Sequence, residues 1–293
     1  MNDTKKRLIG YGLGSSVLAG LLFCGFAYAP DADSMTLLGS VEVHLKMAAS
    51  IPVTDRNGQP DTVRAKLLQD GRAFLARARK QDPELFLGFE YEAWLAGLDG
   101  DFRRAAAMYR RAQDGERATR ETREADLLNE ARMWRASQEP KLAIEALDRW
   151  QGKFSAKNSD ASVVERMLAL EDLGDGDSAM AIATQLAAVA KKSMALMEAG
   201  HYLQRTGDPS AAEQAYAKAA SSNPIANYYL AGLKVRAQEF DIALELLEGS
   251  IAVNGHLVRD MLKRDSEIWK PVHGNERFRK LYLPANEAAT QGR

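Results

Sequence analysis

The sequence predicts an all-α protein made of short antiparallel helix pairs, with one apolar segment before them. Strong helix formers fill residues 31–285, where alternating β patterns are scarce. Gly-Asp pairs in DGDF, DGDS and TGDP interrupt these helices and mark turns between them. Residues 8–30 carry no charge, and as a helix they are long enough to cross a bilayer core. We therefore expect a helical domain behind one transmembrane helix.

The composition and the charge balance exclude several classes of protein. The chain of 293 residues is 46% hydrophobic and 27% charged, which is ordinary for a globular protein. Its 39 basic and 40 acidic side chains nearly cancel, so no general basic field predicts nucleic-acid binding. The single cysteine, Cys24, lies in the apolar segment, and the four histidines show no helical ligand spacing. We expect no metal and no cofactor.

The charges around the apolar segment predict its orientation. Lys5, Lys6 and Arg7 precede it, and Asp31 and Asp33 follow it. Basic residues stay on the cytoplasmic side, so residues 1–7 should form a cytoplasmic tail and residues 8–30 a transmembrane anchor. We expect a single-pass protein of the bacterial cytoplasmic (inner) membrane whose C-terminal domain is extracytoplasmic, in the periplasm.

Two alternatives concern the fate of this segment. AYA at residues 27–29 would suit a signal peptidase and make the segment a cleaved leader, but Pro30 directly after the bond should hinder cleavage. The apolar run is also longer than the roughly 7 to 15 residues of a usual leader core. LLFC, which ends at Cys24, resembles the lipobox of a lipoprotein, with Phe23 where that motif takes a small residue.

Gly10 and Gly14 have the spacing that lets two membrane helices approach closely. A homodimer that forms through these two glycines is therefore a further hypothesis. The same glycines imitate a dinucleotide-binding loop, but no strand precedes them and no ribose-binding acid follows at the right distance.

Residues 31–83 predict a first, irregular helix pair. MTLLGSVEVHLKMA is its first helix, and LLQDGRAFLARARKQDP is its second, with Gly71, Leu75 and Ala78 on one face. SIPVTDRNGQPD between them is a long loop.

The clearest unit begins at Leu196 and reads LMEAGHYLQRTGDPSAAEQAYAKAASSNP. Asp208 is a good N-cap and Pro209 a good first helical residue, so a second helix starts sharply there. Gly200 and Ala212 are small where two antiparallel helices should cross, because larger side chains would push the helix axes apart.

This unit resembles the tetratricopeptide repeat (TPR), whose signature is W-x2-L-G-x2-Y, then A-x3-F, then P. The signature positions are occupied in order by Leu196, Ala199, Gly200, Leu203, Ala212, Tyr216 and Pro224. With Ala212 as the marker, comparable small residues recur at Ala105, Ala143, Ala181 and Ala243. The resemblance implies a right-handed α-solenoid with TPR-like repeats over residues 84–257, preceded by a degenerate first repeat.

Residues 258–293 should cap the array with a helix, a turn around Pro271 and a short helix that carries Phe278 and Leu281. The rival helical-hairpin repeat, the pentatricopeptide type that reads RNA, fits the second helices almost as well. Export across a membrane argues against that type.

The resemblance also implies a concave groove, lined by the first helix of each pair, that holds a protein or peptide partner. The candidate groove residues are Trp94, Arg132, Arg135, Arg166, His201, Arg205, Tyr228 and Arg236. Their arginines could receive an acidic peptide or a terminal carboxylate, since guanidinium pairs with carboxylate in a bidentate manner. The alternative is a solvated face whose arginines are neutralised by neighbouring acids. Arg132 and His201 stand where the carboxylate-clamp repeats have asparagine, so clamp-type recognition does not carry over.

No catalytic set is apparent in the sequence. It has no nucleophile elbow, no His-carboxylate pair at ligand spacing and no phosphate-binding loop. We expect a scaffold or chaperone-like adaptor and not an enzyme. The alternative function is a constitutive structural subunit of a larger membrane complex.

Overall fold

The structure is a computed structural model that describes residues 33–54, 58–115, 118–154 and 159–282, apart from the side chains of residues 150–154. The described residues divide into two compact units, one on each side of a boundary between residues 157 and 158. The boundary falls inside the region 84–257 that the sequence analysis treated as one array. The apolar segment 8–30, with Gly10 and Gly14, lies outside the described residues. None of the helices in the described ranges is both long enough and apolar enough to span a bilayer.

The first unit consists of three helical hairpins. Its helices are α1 (Ser34–Ser50), α2 (Thr62–Gln81), α3 (Phe86–Asp99), α4 (Phe102–Asp114), α5 (Arg120–Ala136) and α6 (Pro140–Phe154). They pack as the pairs α1–α2, α3–α4 and α5–α6. Leu37, Val41 and Leu45 on α1 are fully buried against Phe74 and Leu75 of α2. Two packed helices therefore lie where the sequence analysis expects a first, irregular pair.

The second unit also consists of hairpins, with shorter elements at its end. Its helices are α7 (Asp160–Leu173), α8 (Gly176–Val189), α9 (Ser193–Thr206), α10 (Pro209–Ala220), α11 (Ala226–Arg236), α12 (Phe240–Arg264), α13 (Ser266–Trp269) and α14 (Glu276–Tyr282). A 3-10 turn, Lys270–Val272, links the last two. The helix that we expected near residue 258 is part of α12, which changes direction at Asn254 (φ −144°, ψ 64°).

The turn inside each of five hairpins repeats one local arrangement. An acidic residue precedes the second helix, and four residues later comes a fully buried alanine whose N–H donates to the carbonyl of that acidic residue. These pairs are Asp101–Ala105, Glu139–Ala143, Asp175–Ala179, Asp208–Ala212 and Glu239–Ala243. The alanine therefore marks the place where the second helix first meets its partner.

One predicted marker was wrong. Ala181 is exposed on α8, whereas Ala179 and Ala183 are fully buried. Because all three residues are alanine and lie two residues apart, their size did not show which of them is buried.

The close approach of α9 and α10 is confirmed. Gly200 is buried, and Ala212 is fully buried. A Cβ atom at position 200 would lie 2.6 Å from Cε1 of Tyr216 and 2.8 Å from its Cδ1. The Tyr216 ring thus lies directly against the α9 backbone, in space that exists only because residue 200 has no side chain.

Two hairpins place glutamine where three others place glycine. Gly100, Gly174 and Gly207 follow the first helices of their hairpins with φ of 83°, 86° and 95°. After α5 and α11, the left-handed residues are Gln138 (φ 66°) and Gln238 (φ 63°). A side chain in this region is strained, because its Cβ crowds the backbone.

We expect Gln238→Gly to raise the free energy of unfolding by about 0.5–1 kcal/mol, since glycine relieves that strain. Circular dichroism during urea unfolding of the full chain measures the change. Gln185→Gly on the exposed face of α8 is the control, and it should lower stability by about 1 kcal/mol. A loss of stability in both variants would contradict the strain at position 238.

The end of the second unit is closed by aromatic side chains, as the sequence predicted for Phe278. Trp269 on α13 is 1% exposed, and Phe278 on α14 is 2% exposed. Their rings stack with centroids 5.9 Å apart. Val272 of the 3-10 turn is buried in the same cluster, so the short elements are held against α11 and α12.

Candidate functional site

The two units share the eight candidate groove residues between them. Trp94, Arg132 and Arg135 belong to the first unit, on α3 and α5. Trp94 is half-buried and packs against the core that α1 and α2 form. Arg132 is half-buried and donates to Oδ1 of Asn129 at 3.4 Å, and Arg135 is also half-buried. In this unit the predicted residues are therefore partly engaged in packing.

In the second unit, Arg166 is half-buried on α7, between the buried residues Glu165 and Met167. Its place in a groove stays a prediction.

Tyr228 is not accessible to a ligand. It is 2% exposed, its hydroxyl donates to Oδ2 of Asp265 at 2.9 Å, and it accepts a hydrogen bond from Nε1 of Trp269 at 3.2 Å. Burial is the main cause that raises the pKa of this phenol above its usual value. Predicting Tyr228 in a groove was wrong because the C-terminal elements, which the repeat pattern does not contain, cover it.

His201 and Arg205 lie on α9, and here the structure does bring candidate residues together. Nδ1 of His201 is hydrogen-bonded to the Tyr216 hydroxyl at 2.8 Å, and that hydroxyl also donates to Oε1 of Gln204 at 3.0 Å. The His201 ring meets the ring of Tyr229 edge-on, with centroids 4.3 Å apart. These polar side chains are thus fixed by the buried Tyr216 and the half-buried Tyr229.

Arg205 is exposed and forms an ion pair with Glu171 of α7. Its guanidinium also lies 5.7 Å from the centroid of the Tyr202 ring. The ion pair with Glu171 agrees with the alternative of a solvated face, in which a neighbouring acid neutralises the arginine. An exposed pair of this kind contributes only about 0–1 kcal/mol, so a partner's carboxylate could replace Glu171 at little cost.

Arg236, at the end of α11, is exposed and lines a cleft of about 460 Å³. It makes no hydrogen bond or ion pair with any residue in the described ranges. Apolar side chains of α11, α12, α13 and the 3-10 turn form much of the remaining wall. The structure thus places the predicted groove residue Arg236 beside a cleft.

A buried carboxyl pair in the first unit was missed by the sequence analysis. Asp126 on α5 is 1% exposed and shares a hydrogen bond with Glu90 on α3. Burial, the charge of Glu90 and this hydrogen bond raise the pKa of Asp126 to about 9, and burial also raises the pKa of Glu90. Oδ2 of Asp126 has no hydrogen-bond partner among the described residues. At neutral pH the pair therefore holds a proton.

A second buried carboxylate on α5 is fully paired. Oε1 of Glu130 accepts from Arg149 at 2.7 Å and from Nε1 of Trp134 at 3.2 Å, and its Oε2 accepts from Gln113 at 2.8 Å. The sequence did carry a signal for both acids. Asp126 and Glu130 are four residues apart, beside the buried Leu127 and Ala131, so they lie on the buried face of the helix.

Within the described part of the chain, no three histidine, cysteine or acidic side chains are grouped so that they could hold a metal ion. The chemistry that this arrangement offers is recognition by arginine, histidine and amide groups on exposed helix faces, together with one partly apolar cleft.

Comparison with known proteins gives matches among solved structures only. No family model and no curated protein matches the chain. The chain is similar to a solved structure described as the APC/C hetero-tetramer Cut9-Hcn1, with 14% identity and a TM-score of 0.48, over 83% of this chain and 45% of that one. It is also similar to YrrB, described as a TPR protein with an unusual peptide-binding site, with 15% identity and a TM-score of 0.39, over 65% of this chain and 97% of that one. The chain spans less than half the length of the first of these.

Proposed function

We propose that the protein is a membrane-anchored adaptor that holds a protein or peptide partner on exposed faces of TPR-like helical hairpins, outside the cytoplasm of a bacterial cell. The observation that carries this proposal is the hairpin α9–α10. Its sequence resembles the tetratricopeptide signature, and Leu196, Gly200, Ala212 and Tyr216 are buried where its two helices meet. Repeats of this kind serve as binding surfaces and carry no catalytic machinery of their own.

The exposed side of the same hairpin offers a prearranged set of polar groups. His201 and Gln204 are fixed by the Tyr216 hydroxyl, so little side-chain entropy is lost when a partner arrives. Arg205 is beside them, with an ion pair that a partner's carboxylate can exchange. We therefore place an acidic segment of the partner on α9.

The location rests on the N-terminal sequence. Residues 8–30 are uncharged, and Lys5, Lys6 and Arg7 precede them, which favours an anchor with the helical units on the outer side. An adaptor of this kind would act at the outer face of the cytoplasmic membrane.

Photo-crosslinking in native bacterial membranes tests this proposal. With a photo-crosslinking amino acid at Thr206, next to Arg205, we expect an adduct with one partner protein, because Thr206 is exposed on α9. Adding Arg205→Glu should reduce this adduct, since the charge that attracts an acidic segment is reversed. Protease added to spheroplasts should digest the adduct if the units face outward.

Lys263, exposed on α12, is the matched control position and should give no such adduct. Equal cross-linking at Thr206 and Lys263, or an adduct that Arg205→Glu leaves unchanged, would overturn the assignment to α9. An adduct protected from protease in spheroplasts would overturn the location. If the adduct migrates only within a large, stable assembly, the alternative of a constitutive subunit replaces the adaptor.

A further inference from the structure

We propose that the cleft at the turn of hairpin α11–α12 binds an apolar side chain of a peptide together with a neighbouring carboxylate. This proposal rests on the proposed function, because it names a binding pocket for the partner. The cleft is separate from the α9 surface, since its walls are the end of α11, the start of α12, α13 and the 3-10 turn.

The wall of the cleft is largely apolar. Val235 at the end of α11, Phe240 at the start of α12, Ile268 of α13 and Pro271 of the 3-10 turn line it. Its volume of about 460 Å³ is enough for one large side chain and part of the adjoining backbone. Burying an aliphatic side chain there would supply the non-directional part of the binding free energy.

The cleft exists because a short element stands beside the last hairpin. The elements that follow α12 are short: α13 has four residues and the 3-10 turn has three. They cover less of the hairpin α11–α12 than a full-length helix would, and they leave a gap next to α12. The gap is held open by buried neighbours. Trp269 and Val272 flank Ile268 and Pro271 in sequence and are 1% and 2% exposed, which fixes the wall before any ligand arrives.

Charge favours an acidic ligand. Glu267 is the one acid among the described residues that line the cleft, and it pairs with Lys270 at 2.6 Å. Glu239, next to the cleft in sequence, shares Lys234 with Glu213, at 3.0 Å and 2.7 Å. Arg236 lines the cleft, is exposed, and has no hydrogen-bond or ion-pair partner among the described residues. Its guanidinium can therefore take a carboxylate in bidentate fashion without first breaking another pair.

Gln238 supports the same conclusion from the backbone. It lines the cleft, and it occupies the left-handed conformation (φ 63°) in which three other hairpins have glycine. Strain of this kind concentrates at functional sites, where a side chain is retained although it reduces stability. The Gln238 amide can donate to, and accept from, the backbone of a peptide seated between Arg236 and Phe240.

Fluorescence polarisation with three fluorescein-labelled peptides and the full chain in detergent micelles tests the proposal. The first peptide is Gly-Ser-Gly-Ser-Leu with a free terminal carboxylate, the second is the same peptide with a terminal amide, and the third is Gly-Ser-Gly-Glu-Leu with a terminal amide. We expect the second to bind at least about fivefold more weakly than the tighter of the other two. The tighter one identifies the source of the carboxylate as either the peptide terminus or an acidic side chain.

Arg236→Gln should weaken the tighter peptide about fivefold and leave the amide control unchanged. Arg279→Gln, which removes an exposed arginine of α14, is the matched control and should change neither. Gln238→Gly should weaken binding while it stabilises the fold. Equal binding of all three peptides, no binding, or no effect of Arg236→Gln would overturn the proposal.

The outcomes separate this proposal from the proposed function. If the peptides fail to bind but Thr206 still cross-links a partner, the cleft is not the binding site and the adaptor function stands. If sedimentation shows self-association that Arg236→Gln abolishes while no peptide binds, the occupant is a second copy of this chain and the proposal is wrong.

Discussion

Gly200→Ala is expected to lower the free energy of unfolding of the second unit by about 1–3 kcal/mol, the usual effect of overpacking a core. The new Cβ would lie 2.6 Å from Cε1 of Tyr216, which is closer than two carbon atoms can come without a shift. The ring is fully buried, and its hydroxyl is hydrogen-bonded to His201 and Gln204, so moving it would break these contacts. Urea unfolding of the full chain, followed by circular dichroism, measures the change.

Gly249→Ala is the matched control, because it makes the same substitution in an exposed helical position. Its Cβ would lie 3.7 Å from Nδ2 of Asn227, which is ordinary contact. We expect a gain of about 1 kcal/mol there, since alanine is the better helix former. If Gly200→Ala were also stabilising, the close approach of α9 and α10 would be refuted.

Asp126→Asn is expected to make the stability of the first unit less sensitive to a rise in pH between 3.8 and about 9. Asp126 is protonated in the folded state up to about pH 9 but ionises near 3.8 when the chain unfolds. Between these values the folded state binds the extra proton, so the stability of the wild type falls as pH rises. Asparagine keeps a donor toward Glu90 and has no proton to lose. The advantage of the variant should therefore grow by up to about 1.4 kcal/mol per pH unit within that window.

The protein is equilibrated in urea at several pH values. The unfolding of α3 and α5 is then measured by a short pulse of hydrogen exchange, which is always carried out at the same pH. Asp172→Asn, an exposed aspartate on α7, is the control and should leave the pH dependence of these two helices unchanged. Parallel pH profiles for Asp126→Asn and the wild type would show that Asp126 is ionised in the folded protein.

The sequence predicts the hairpins well because local signals define them. A turn residue followed by a cap, as at Gly207 and Asp208, specifies where one helix ends and the next begins, and the side chain of Asp208 does accept from the N–H of Ala211. Gly200 and Tyr216 were informative for a related reason. A residue without a side chain that faces a ring has few explanations other than a close helix contact.

The candidate site was harder to predict, because it depends on contacts between residues far apart in the chain. Tyr228 is buried by Asp265 and Trp269, which follow it by 37 and 41 residues and lie outside the repeat pattern. The Glu90–Asp126 pair likewise joins two helices that only the fold brings together. At Ala181 the cause was local, since alternating alanines allow more than one register along α8.

Arg205 and Arg236 illustrate how the same residue type takes different roles on neighbouring helices. Arg205 forms an ion pair with Glu171, whereas Arg236 forms none within the described residues and stands beside a largely apolar cleft. A count of arginines along a predicted groove cannot separate these cases. Only the positions of the surrounding acids and of the C-terminal elements do so.

A double-mutant cycle between Gly200 and Tyr216 tests the central structural claim most directly, namely that the hairpin α9–α10 is closed by a ring packed on a glycine. The free energy of unfolding is measured for the wild type, Gly200→Ala, Tyr216→Leu and the double variant. Because leucine leaves room for the new methyl group, Gly200→Ala should be at least about 1 kcal/mol less destabilising in the Tyr216→Leu background than in the wild type. An equal effect of Gly200→Ala in both backgrounds would contradict the contact, and with it the hairpin packing on which the adaptor proposal depends.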